Sequence, residues 1–172
     1  MIDRRPRTRI DRAPTQLQLA GIPVISVMLG SLTALVPIIA SAPLLPPLGF
    51  MILIAWRLLH RTLWPVWMTL PLGFFDDMFS GQPIGSAIFL WTLAFLTIDL
   101  FDRRMLWRDF WQEWGLAAAL TCILLIAQLV IANSFGNHTS PSVLVPQMIL
   151  SVLLLPLITR LCARIDLVRR SA

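Results

Sequence analysis

The stretch that decides the fold is Gly115 to Thr159, GLAAALTCILLIAQLVIANSFGNHTSPSVLVPQMILSVLLLPLIT, in which no Asp, Glu, Lys or Arg occurs. It is long enough for two bilayer-crossing helices of about 20 residues each. The polar SFGNHTSPS in its middle carries Gly, Asn, Ser and Pro, the residues that turn a chain. A second charge-free stretch runs between Arg12 and Arg57. Composition agrees: 57% of the residues are hydrophobic, 13% are charged and the mean hydropathy is +0.77, more apolar surface than a soluble domain could hide. The apolar run after the basic N-terminus exceeds signal-peptide length, so the first segment is expected to stay as an anchor.

Working outward, hydropathy and turn residues place spans at about 17–40, 48–59, 63–79, 84–101, 114–133 and 143–161. The expected fold is an all-α integral membrane protein with a transmembrane domain over 17–163. An Arg-rich tail (1–16) precedes it and a second tail (164–172) follows. The prolines of SAPLLPP (41–47) turn the chain into span two, which is short and requires Arg57 to snorkel to the interface. The 14 basic residues are all Arg, and the segments between spans hold alternately five, none, two, none, three, none and four of them. Cytoplasmic loops retain positive charge, so six spans with both termini cytoplasmic are expected, in a bacterial inner membrane.

The net charge of +5 and pI near 11.2 could suit nucleic acid, but the arginines punctuate apolar segments as topology signals do, so no nucleic-acid partner is expected. Trp56, Trp64, Trp67, Trp107, Trp111 and Trp114 sit beside the Arg-bearing loops, where indoles prefer the headgroup layer. Trp107, Trp111 and Trp114, with Arg103, Arg104 and Arg108, suggest one amphipathic stripe in contact with lipid headgroups, or a docking surface for a cytoplasmic partner. Asp99 and Asp102 beside Arg103 and Arg104 read as an interfacial salt-bridge cluster. Cys122 and Cys162 read as buried hydrophobes, and His60 and His138 as surface residues. No catalytic, metal or cofactor site is expected.

The most informative stretch is Leu70 to Gly85, LPLGFFDDMFSGQPIG. Gly73, Asp77, Gly81 and Gly85 recur every four residues, which on a helix draws one stripe down a face. Ser80-Gly81-Gln82-Pro83 is expected to break that helix and turn it into span four. A membrane-embedded carboxylate costs about 3 kcal/mol unless paired or hydrated. Asp77 is therefore read as a cap satisfying backbone N–H groups at the turn or as part of a helix–helix packing face, with an ion or substrate site as the alternative. Asp76 points about 100° away and reads as solvated or interfacial.

These residues resemble the rod shape-determining membrane proteins of the MreD family. The resemblance spans the chain in layout and is specific over Pro46 to Asp99, where Gly73, Asp77, Ser80, Gly81, Pro83, Ile84 and Gly85 form the family's glycine-Asp-glycine signature. The doubled Asp and the proline-rich first loop depart from the family pattern. The resemblance implies a non-enzymatic subunit of the lateral peptidoglycan elongation complex. It would bind the scaffold protein MreC and couple MreB filaments to RodA and a penicillin-binding transpeptidase. On this reading, small-residue faces around Gly73 and Gly81 would form a groove for a partner's transmembrane helix.

Two rivals come from other classes. A small-molecule transporter, or its substrate-binding membrane subunit, could use an embedded Asp, although Gln128, Thr92 and Thr97 are the main further polar lining on offer. A lipid-modifying enzyme would need several carboxylates around a metal, and here one adjacent pair points to two helix faces.

Overall fold

A computed structural model describes residues 16–35, 45–60, 64–104, 109–135 and 144–171. Six helices account for them: α1 (Gln16–Leu32), α2 (Leu48–Leu59), α3 (Thr69–Ser80), α4 (Ser86–Arg104), α5 (Phe110–Ser134) and α6 (Leu144–Ser171). No strand occurs among the described residues.

The helix ends follow local chemistry. α1 tightens into a 3-10 turn over Thr33–Leu35, and the rest of expected span one lies outside the described residues. Pro65 is extended, and a 3-10 turn over Val66–Met68 leads into α3, so regular α-helix starts six residues later than the expected 63. Asp109 is extended and its carbonyl accepts from the N–H groups of Gln112 and Glu113, which starts α5 one turn before Trp114. α6 runs on through 164–171, a segment expected to be a tail. Asp166 draws it inward, because its buried carboxylate lies 3.0 Å from His60 Nε2 at the end of α2.

The shortest helix with a span's composition is the hub. Phe50, Met51, Leu53, Ile54, Ala55 and Trp56 of α2 are each no more than 2% exposed. A helix apolar all round has to be enclosed, and α2 packs against α1, α5 and α6. Phe50 also meets Trp91 of α4, ring centroids 6.1 Å apart. At 12 residues α2 is roughly 18 Å long, short of a bilayer's hydrocarbon thickness. Because protein rather than lipid surrounds it, that length suffices.

Around this hub the outward faces are apolar. Phe89, Leu93, Leu96 and Leu100 expose one stripe of α4, and Val145, Ile149, Leu153, Leu157 and Leu161 expose one of α6. In water each would forgo the roughly 1.5–3 kcal/mol that burying such a side chain supplies, whereas hydrocarbon solvates it. The apolar windows of α5 and α6 are only 28% and 22% buried, unlike core helices of a soluble protein. These two helices are long and apolar enough to cross a bilayer.

The α1–α2 crossing rests on bare backbone. A Cβ on Gly30 would stand 2.8 Å from Ile52 Cδ1 and 3.0 Å from the Gly49 nitrogen, so α1 and α2 approach only because both positions are glycine. A Cβ on Gly49 would collide with the Ser31 hydroxyl and come within 3.2 Å of Asp76 Oδ1. Asp76 therefore faces the α1–α2 crossing, which corrects the interfacial placement expected for it.

Candidate functional site

The signature residues build the α3–α4 hairpin. Gly81 follows α3 with φ +66°, the left-handed conformation that ends a helix and that a side chain disfavours. The Pro83 carbonyl accepts from Ser86 N–H (3.1 Å), and Gly85 takes φ +100° before α4 begins. Ser80 is the last residue of α3, its hydroxyl buried at the bend.

Asp77, 3% exposed, reaches across this turn to the start of α4. Gly85 N–H donates to its Oδ2 (2.8 Å), while Ser86 Oγ–H (3.0 Å) and Ala87 N–H (2.8 Å) donate to its Oδ1. Those N–H groups belong to a first helical turn, which has no intrahelical acceptors for them, and a negative charge there complements the helix dipole. One side chain thus solves two problems: the carboxylate gains donors, and α4 gains a cap from the preceding helix.

Gly73 explains how the two helices come close enough. Its missing Cβ would lie 2.8 Å from Ile88 Cα and 2.9 Å from Ile88 N, both backbone atoms of α4. Lower down, the hydroxyls of Thr69 and Thr92 meet at 2.9 Å. The groove expected around Gly73 and Gly81 is therefore not open to a partner helix. α4 fills the Gly73 face, and Gly81 lies off that face, with nothing within 4 Å of its would-be Cβ.

The opposite end carries buried charge. Arg57 of α2, only 6% exposed, is ion-paired with Asp99 of α4, lies 3.6 Å from Asp102, and stacks over the Phe95 ring at 5.7 Å. Intramembrane charges face the bundle interior and pair, and this triad does so. The expected snorkelling of Arg57 is corrected: its guanidinium turns inward and bolts α2 to α4. His60, expected at the surface, stacks on Trp56 (6.3 Å, 19°) and meets Asp166.

Of the expected interfacial residues, Trp107 and Arg108 lie outside the described residues. Arg103 and Arg104 are exposed at the C-terminus of α4, where cations complement the dipole. Trp111 is 73% exposed and meets Trp114 edge-on at 6.1 Å. Asp109, just before them, is extended.

The glycines at 30 and 49 escape a reading of the sequence, since neither repeats at helical spacing. The Arg57 triad leaves a fainter signal: Asp99 and Asp102, three apart, share a helix face, and Arg57 falls within an expected span. Among the described residues no three His, Cys, Asp or Glu side chains converge as metal ligands.

Inward-facing charges paired within the chain, apolar outward faces and two bilayer-length helices define a helical membrane protein. The chain belongs to the MreD family: the model of rod shape-determining protein MreD matches residues 16–165. That membership points to a role in determining rod shape. No curated protein and no solved structure matches the chain. The transporter reading is without support.

Proposed function

We propose that this chain is a non-enzymatic, multi-pass inner-membrane subunit of the lateral peptidoglycan elongation complex, with six spans and both termini in the cytoplasm. It binds the scaffold protein MreC, and through it the assembly of MreB filaments, RodA and a penicillin-binding transpeptidase. Family membership over residues 16–165 is the observation that carries this reading. The fate of the interior charges supports it. Asp77 caps α4, Asp99 holds Arg57 and Asp166 holds His60, so each stabilises the bundle itself.

Depletion of the chain in its own bacterium tests the reading. Rods should become round, and affinity-tagged chain should retain MreC after detergent extraction. Cells that keep their rod shape and wall-synthesis pattern without the chain would remove the basis for this role.

A further inference from the structure

At the arginine-bearing end of the bundle, α2, α5 and α6 line a half-open cavity of about 250 Å³, walled by Leu58, Trp114, Ala117, Leu155 and Ala163. Arg160, exposed, stands on its rim with Thr159 beside it. No hydrogen bond or ion pair among the described residues engages the Arg160 guanidinium. Arg164, one turn on and also exposed, adds positive potential. Glu113 on the α5 wall sits in a first helical turn, where the dipole favours it, and has an interaction of its own.

We infer that this cavity takes one acyl chain of an anionic phospholipid whose phosphate pairs with Arg160. The walls are hydrocarbon and the rim is cationic, which matches a lipid with its charge at one end. Basic pockets between transmembrane helices bind anionic headgroups on this principle. A guanidinium donates to two phosphate oxygens at once, whereas a zwitterionic headgroup brings its own cation to the same site.

The test uses the full chain reconstituted with equal phosphatidylglycerol and phosphatidylethanolamine, then transferred to detergent for native mass spectrometry. One retained lipid is expected, phosphatidylglycerol favoured about fivefold, the effect of one arginine near an anionic surface. Arg160→Gln should abolish that preference, and Ala163→Phe should abolish retention of both lipids. The inference is overturned if wild type shows no preference, or if Arg160→Gln keeps it. Arg160 is exposed, so its variant folds and decides the matter even if Ala163→Phe does not.

Discussion

Gly73 of α3 packs directly on the backbone of α4 at Ile88, a Cβ on Gly73 standing 2.8 Å from Ile88 Cα. Neither atom can swing aside, so a side chain at 73 must move a helix. Gly81 is needed for a different reason, its φ of +66° with open space around it. The two glycines should therefore answer differently to side-chain size. Gly73→Ala should cost about 1–3 kcal/mol of stability as an overpacked contact, and Gly73→Leu clearly more. Gly81→Ala should cost about 1–2 kcal/mol through backbone strain, with Gly81→Leu close to it. Denaturant unfolding in detergent measures both series, and equal size-dependence at the two sites would contradict these assignments.

Asp77 supplies a second prediction. Asp77→Ala leaves the N–H groups of Gly85 and Ala87 without their acceptor, each worth about 1–3 kcal/mol when buried. Asp77→Asn keeps one oxygen for Ser86 and Ala87 and should lose about 1 kcal/mol. Unfolding of both variants with and without added Na⁺ or Mg²⁺ separates a cap from an ion site. Wild type should gain nothing from either cation beyond what Asp77→Asn gains.

The α3–α4 hairpin is legible in the sequence because its determinants are local: Gly81, Pro83 and Gly85 act within a few positions of one another. Bilayer-length α5 and α6 are legible too, since hydropathy over about 20 residues reports on lipid solvation directly. α2 is not. Hydropathy gives a segment's own apolar content and says nothing of what encloses it, so the weakest span by length becomes the most buried helix. Gly30 and Gly49 have meaning only once α1 and α2 cross. Arg57 finds Asp99 at a separation of 42 residues, which no local pattern encodes. The same holds for His60 and Asp166, whose meeting turns an expected tail into the last turns of α6.

Arg57 allows a test of how buried charge is held. Arg57→Leu leaves Asp99 without its cation and should cost about 3–5 kcal/mol. The triple variant Arg57→Leu, Asp99→Leu, Asp102→Leu removes charge and partner together. It should unfold near wild type, because a well-packed apolar replacement escapes the desolvation penalty. If the triple variant is no more stable than Arg57→Leu alone, the coupling between α2 and α4 is not electrostatic.

Threading through the bilayer gives the last prediction. The pairs Arg57–Asp99 and His60–Asp166 gather the ends of α2, α4 and α6 on one side of the bundle. The Gln147 side chain donates to the Leu45 carbonyl (2.6 Å), joining the starts of α2 and α6 on the other. Arg57 in the last turn of α2, Arg103 and Arg104 in the last turn of α4, and the arginines along the C-terminal part of α6 fall on the first side, and positive charge holds such ends in the cytoplasm. A fluorescent protein fused after Ala172 should therefore fluoresce, and alkaline phosphatase fused there should be inactive. Phosphatase inserted at Gly136, between α5 and α6, should be active. Deleting the arginines at 103, 104 and 108 removes the central signal but leaves those at both termini, so the orientation at Ala172 should hold while export at Gly136 weakens. An exported C-terminus in the unmodified chain would mean an odd number of crossings, with α2 held inside the bundle without traversing it.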